Sequence, residues 1–204
     1  MSNIIKFDPS KLANSYKKVA ADNTPKGSFI KMSKGGVWTF GADEIGVDED
    51  DQFAVNPAAV MHGFVCWADT DAGVAAGKLG EIMALVTDDV APQMPAVVPP
   101  GGAAWAVQLG IQMKGLTGAA KGMDLAFATT SYGGKKAVAG LMSQMGEYFS
   151  AKANHIKPVP VVTLGSLSYK HDKFGKLFNP LIDIVKWIEM PKTEAAPKKV
   201  GKKK

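Results

Sequence analysis

A chain of 204 residues with 46% hydrophobic and 21% charged residues has enough apolar material for one folded domain, and composition excludes a fully disordered body. The net charge of +5 hides an asymmetry: residues 1–100 hold 8 lysines against 13 acidic residues, whereas residues 101–204 hold 16 against 6. Such a charge asymmetry between the two halves points to an electrostatic partner or an internal acidic–basic contact. No apolar run approaches the ~20 residues that cross a bilayer, so no membrane partner is expected.

Residues 1–27 are predicted to be an N-terminal lead-in to the fold. Asp8 before Pro9 suits the cap and first position of a helix. Three apolar residues at helical spacing predict that this helix covers residues 9–21: Leu12, Tyr16 and Val19.

From Ser28 the sequence changes to short runs that predict strands at residues 28–32, 36–40, 52–56, 60–68 and 80–87. The first two strands are joined by a predicted hairpin turn at residues 33–35. Six acidic residues predict an exposed loop at residues 42–51. This loop is either simply solvated, a site for a hard cation, or a mimic of a phosphate backbone that rests on the basic half.

The second half predicts strands at residues 104–113 and 123–130, a helix at 133–153, and strands at 159–168 and 180–188. This order predicts a mainly β, β-rich α+β fold: an OB-like antiparallel barrel with one principal helix before the last two strands. An antiparallel sandwich with one covering helix is the alternative. The expected nucleic-acid-binding domain is residues 28–188, followed by a disordered lysine-rich tail at 189–204.

No pattern in the chain indicates catalysis, a metal or a cofactor, so we expect a non-enzyme. His62 and Cys66 have a His-x3-Cys spacing but lack a second pair of zinc ligands. Cys66 is the only cysteine, and Met1–Lys6 has no signal-peptide pattern, which together predict a reducing compartment, the cytoplasm.

Lysines alternate with aromatic rings over residues 168–178, and a looser version of this pattern lies at residues 132–136. Lysines neutralise phosphates, and aromatic rings stack unpaired bases. All 24 basic residues are lysines, which disfavours sequence-specific duplex readout by arginine, although a genome poor in G and C would have the same effect. The candidate nucleic-acid-binding residues are Lys34, Trp38, Tyr132, Lys135, Lys136, Tyr169, Lys170, Lys173, Phe174 and Lys176.

Each of these features also has a plainer interpretation. The Gly-Gly-Lys-Lys start of the helix is either a phosphate site at a helix N-terminus or a glycine-rich turn with solvated lysines. Residues 169–178 form either a loop or a continuation of the preceding strand, and Phe178 is expected to plug the core. Trp38 is the one tryptophan expected to be exposed.

Two blocks of sequence resemble small phage-encoded proteins. The first contains Lys34-Gly-Gly-Val-Trp38 and Gly63-Phe-x-x-Trp67, and the second contains Ser168-Tyr-Lys-His171 and Phe174-Gly-Lys176. This pattern is similar to the OB-fold single-stranded DNA-binding proteins of tailed phages. The resemblance implies a protein that coats unwound DNA during phage replication and recombination in the host cytoplasm. The basic tail departs from the acidic tail of many such proteins.

The sequence therefore predicts a non-catalytic protein that binds single-stranded DNA with little sequence preference. RNA, replication or recombination proteins and further copies of the chain are the other candidate partners. The alternative is a phage structural or assembly protein whose β-rich body serves packing in the virion.

Overall fold

The computed structural model describes residues 28–190, so the predicted lead-in and the tail from residue 191 lie outside it. Within this range the chain is mainly β, with one α-helix, α1 (Tyr132–Phe149), and three short 3-10 turns. The ten strands, β1 to β10, are Ser28–Met32, Trp38–Phe40, Ile45–Gly46, Gln52–Val55, Met61–Trp67, Lys78–Leu85, Ala106–Gly115, Asp124–Thr129, Val159–His171 and Gly175–Ile188.

The sequence pattern locates most of these elements. The mainly β class and the position of one principal helix before the last two strands are confirmed. The largest difference lies in β9 and β10, which extend well past their predicted ends at Ser168 and Pro180 and pair with each other from Val159 to Ile188.

All ten strands belong to one mixed sheet in which β7 is the branch point. The path runs β10-β9-β4-β7-β8-β1-β2-β3, and β1 and β8 form its one parallel pair within residues 28–190. One end of β7 pairs with β4, while its other end pairs with β5, which in turn pairs with β6. β6 is therefore a side branch of the sheet.

The main core lies between one face of this sheet and α1. Val138, Leu141 and Met145 stand at helical spacing and bury against sheet residues that include Val162 and Leu164. At the end of the helix, Tyr148 stacks on Trp187 of β10 with ring centroids 3.5 Å apart. These contacts fix α1 along the β9–β10 hairpin, which carries five of the ten candidate residues.

Trp38 is part of this core, so its prediction as an exposed stacking residue is wrong. Its side chain is 3% exposed and packs edge-on against Phe127, with ring centroids 5.1 Å apart. Trp38 and Phe40 alternate with Thr39 on β2 and therefore face inward together. The surrounding lysines and glycines suggested exposure, but they belong to the neighbouring turn.

The same residue brings the two ends of the sheet close together. The indole N–H of Trp38 donates to the carbonyl oxygen of Gly165 in β9 at 2.7 Å. Gly36, in the turn before β2, lies against the ring of Phe178 in β10. The strand pairing itself does not close, so the predicted OB-like barrel is not confirmed.

None of the helices within residues 28–190 combines the length and apolar character needed to cross a membrane.

The contact between Gly36 and β10 can be tested by mutation. In Gly36→Ala the new Cβ would lie 2.5 Å from Cδ1 of Phe178, on a backbone with φ of +82°. We expect the free energy of unfolding in urea to fall by about 2–4 kcal/mol, through left-handed strain of about 1–2 kcal/mol plus overpacking.

Gly41→Ala is the matched control, because Gly41 has φ of +73° but a Cβ added there would meet no heavy atom within 4 Å. It should lose only the strain, about 1–2 kcal/mol. Equal losses in the two variants would show that the turn does not pack against β10.

Candidate nucleic-acid interface

The ends of β9 and β10 project beyond the core as a two-stranded hairpin, which we call the arm (residues 167–179). Leu167 pairs with Asn179, and the register continues to His171 opposite Gly175. Most side chains near its tip are exposed, whereas Val162, Leu164 and Ile182 at its root are buried. Residues 169–178 therefore continue the strands, and only the short turn at the tip is a loop.

The turn at the tip is ordered by one histidine and one glycine. Nδ1 of His171 accepts hydrogen bonds from the backbone N–H groups of Lys173 and Phe174, at 3.1 and 3.3 Å. Gly175 has φ of +73°, the left-handed conformation that commonly closes a three-residue hairpin loop. This geometry turns Phe174 outward at the end of the arm.

Two predicted stacking residues on the arm are accessible. Tyr169 is 41% exposed and Phe174 is 64% exposed, and the ring of Phe174 contacts the ring of His171 with centroids 4.9 Å apart. Leu167 lies on the same face as Tyr169 and is also exposed. Phe178 is half-buried at the base of the arm, so it packs as predicted but outside the fully buried core.

Lysines occupy the arm in an electrostatically unfavourable arrangement. Lys170 and Lys176 are directly opposite each other in the register of β9 and β10. Like charges in this position destabilise a strand pair. Nζ of Lys176 lies 5.1 Å from the ring centroid of Phe178, and Nζ of Lys173 lies 5.5 Å from that of Phe174. Lys173 thus accompanies a ring proposed to stack bases, Phe174, whereas Lys176 accompanies the half-buried Phe178.

The other candidate segments meet the arm at its base. The turn that carries Lys34 contacts β10 through Gly36 and Phe178, and the start of α1 contacts it through Gly133 and Asn179. Phe178 and Asn179 are neighbours on a strand and point to opposite faces. Lys34 and the start of α1 therefore approach the arm from different sides. Five of the ten predicted residues thus lie on the arm itself, Lys34 and the start of α1 belong to segments that contact its base, and Trp38 is buried.

At the start of α1, the glycines serve packing. A Cβ on Gly133 would collide with Oδ1 of Asn179, and one on Gly134 with Oγ1 of Thr129. Ser131 caps the helix by accepting from the N–H of Gly134 at 3.1 Å. The two glycines are thus explained without a bound phosphate, whereas Tyr132, 83% exposed, faces solvent.

The six candidate lysines have no acidic partner within residues 28–190. The ion pairs in this range are Lys31–Glu44, Lys78–Glu81 and Lys114–Asp124, all outside the candidate set. Asp172, at the tip of the arm, is the acidic residue nearest in sequence to Lys170, Lys173 and Lys176. The unpaired lysines are Lys34, Lys135, Lys136, Lys170, Lys173 and Lys176.

The described side-chain contacts of the acidic loop at residues 42–51 are with Lys31, Thr117 and the backbone of the loop itself. Glu44 accepts a hydrogen bond from Nζ of Lys31 at 2.6 Å, and this ammonium lowers the pKa of the exposed Glu44 carboxyl. Asp51 is buried and accepts hydrogen bonds from the backbone of Asp48 and from the hydroxyl of Thr117. Among the described residues, no acid of this loop pairs with a lysine of the arm.

No group of three or more histidine, cysteine or acidic side chains within residues 28–190 is placed to hold a metal ion. Cys66 is fully buried, and its Sγ lies 3.1 Å from the carbonyl oxygen of Ala103.

Sequence reasoning missed the Lys170–Lys176 pair and exposed Leu167. The signal was present in the sequence, because Asp172-Lys173-Phe174-Gly175 is a three-residue loop followed by a glycine suited to positive φ. This motif between alternating residues fixes a hairpin and hence the register of the two lysines.

Comparison of the chain with protein-family models, curated protein sequences and solved structures finds no match. The resemblance to phage DNA-binding proteins therefore stays an expectation from sequence.

The opposed lysines make a prediction about the free protein. In Lys176→Glu the like-charge pair becomes an opposite-charge pair, so amide hydrogen exchange in residues 168–177 should slow by up to about fivefold. Lys176→Gln removes only the repulsion and should give a smaller effect, and added salt should reduce both differences. Exchange as fast as in the native chain would show that the two charges do not interact.

Proposed function

We propose that this protein binds single-stranded nucleic acid, DNA in the first place, through the arm and the lysines at its base. In this proposal it acts without catalysis and with little sequence preference. Lysines neutralise phosphates, and Tyr169 and Phe174 stack bases. The observation that carries the proposal is the arm itself, where exposed rings stand beside lysines that lack acidic partners.

Electrostatics supports an anionic partner over a purely structural role. A strand pair with lysines directly opposed loses stability, and no acidic side chain within residues 28–190 pairs with either lysine. Departures of this kind from local stability are expected at functional sites. A phosphate backbone would relieve the repulsion by lying between the two ammonium groups.

The exposed rings support an unpaired strand over a duplex. Bases can stack on Tyr169 or Phe174 only when they are not already stacked inside a double helix. The absence of arginine removes the residue that most often reads guanine in the major groove. A two-stranded ribbon can also enter the major groove of duplex DNA, so duplex binding is the outcome that would oppose this proposal.

We also propose that the fold of this sheet is related to the OB-type barrel. Its support is the approach of β2 to β9, where the hydrogen bond from Trp38 to Gly165 and the packing of Gly36 on Phe178 join the two ends of the sheet. In OB folds, a curved sheet and its connecting loops bind oligonucleotides. Replication or recombination of phage DNA is the role that fits such a protein best.

Removal of the rings tests the proposal. Tyr169→Ala and Phe174→Ala should each weaken binding of a fluorescein-labelled oligothymidine by about 5- to 150-fold, since one base stacked on a ring contributes about 1–3 kcal/mol. Binding is measured by the fluorescence anisotropy of the labelled oligonucleotide. Intrinsic tryptophan fluorescence is less suitable, because none of the four tryptophans lies in the arm.

The matched control is Ile156→Ala, which removes an apolar side chain that is 70% exposed outside the arm. This variant should bind the oligonucleotide like the native chain. Unchanged affinity in both ring variants, with unfolding curves like that of the native chain, would exclude base stacking on the arm.

A further inference from the structure

The sheet face opposite α1 carries an open groove of about 900 Å³ that is lined mainly by apolar residues, with Lys78, Glu81, Gln108 and Gln112 as its polar lining. It crosses five neighbouring strands, β1, β8, β7, β5 and β6, and side chains on this face alternate with those that face the core. The groove has no covering helix within residues 28–190. Its apolar lining includes Phe29, Met61, Leu85, Gly110, Ala126 and Ala128.

Residue size explains why this face is concave. Ala128, Gly110, Met61 and Leu85 form one row in register across four strands. The small residues Ala128 and Gly110 form a low floor, while the long side chains at the other end of the row form a wall. Phe29, 53% exposed on β1, is on the opposite side. A sheet with apolar residues on both faces needs a layer on each.

The chain outside residues 28–190 offers two segments that could provide this layer. The tail from residue 191 has one large apolar residue, Val200, among its lysines, alanines and prolines. Residues 1–27 have Leu12, Tyr16 and Val19 at helical spacing and continue directly into Ser28 of β1. Ser28 and Phe29 pair with Leu125 and Ala126, so this segment enters the structure beside the groove.

We propose that residues 9–21 occupy this groove as an amphipathic helix with Leu12, Tyr16 and Val19 facing the floor. The lengths agree, because 13 helical residues span about 20 Å and five adjacent strands span about 19 Å. Residues 22–27 supply a linker that reaches up to about 20 Å, enough to turn back from Ser28. The lead-in is then the second outer layer of the domain and shields its apolar face from water.

Thiol labelling in the full chain tests this inference. Ala128→Cys places a reactive group on the exposed groove floor, while the native Cys66 is fully buried. We expect iodoacetamide to label the introduced thiol at least tenfold more slowly than it does when Leu12→Asp and Tyr16→Asp are also present. The rates are read by mass spectrometry of the peptide that contains position 128.

Two controls make the result specific. Asn14→Asp with Lys18→Asp alters the opposite side of the predicted helix and should leave the protection unchanged. Ile156→Cys, at an exposed site outside the groove, should react at one rate in all backgrounds.

Three results would overturn the inference. The first is equal labelling at position 128 with and without the Leu12 and Tyr16 changes. The second is faster labelling at position 156 as well, which would mean general unfolding. The third is protection that rises with protein concentration, which would assign the groove to a second copy of the chain.

Discussion

The antiparallel pairing of β9 with β10 is the constraint on which the rest of the structure depends. One half of this hairpin is held by the core, where Val162, Leu164 and Ile182 are buried against α1. The other half extends past the core as the arm and has solvent around most of its side chains. Because an isolated two-stranded hairpin is only marginally stable in water, the buried half must fix the register of the exposed half. The positions of Tyr169, Lys170 and Lys176 follow from that register.

The same register creates the electrostatic property that points to function. It places Lys170 opposite Lys176, and the two segments that contact the base of the arm, the turn before β2 and the start of α1, carry further lysines. A body with a well-packed core tolerates this repulsion, which costs a small part of the total stability. The proposed interface therefore combines a rigid root with a charged, aromatic end that an anionic strand would stabilise.

Much of the fold could be predicted from sequence because its signals are local. Alternation in residues 28–32 and the apolar stripe of α1 depend on neighbours along the chain, and both elements are present. The branching of the sheet at β7 depends on long-range pairing, which no local pattern reveals. Trp38 shows the same limit for the site: Lys34 and the glycines just before it in sequence suggested exposure, but Phe127 and Gly165 bury it in space. For Gly133 and Gly134, the packing partners Asn179 and Thr129 were equally invisible in the sequence.

The most direct test of the account is the affinity of the full chain for an oligothymidine and for a duplex of equal length, measured by anisotropy at several salt concentrations. We predict preference for the single strand and an affinity that falls steeply with salt, with a log–log slope of about −0.7 for each phosphate neutralised. Absence of binding at low salt, or tighter binding of the duplex, would contradict the assignment of the arm to single-stranded nucleic acid.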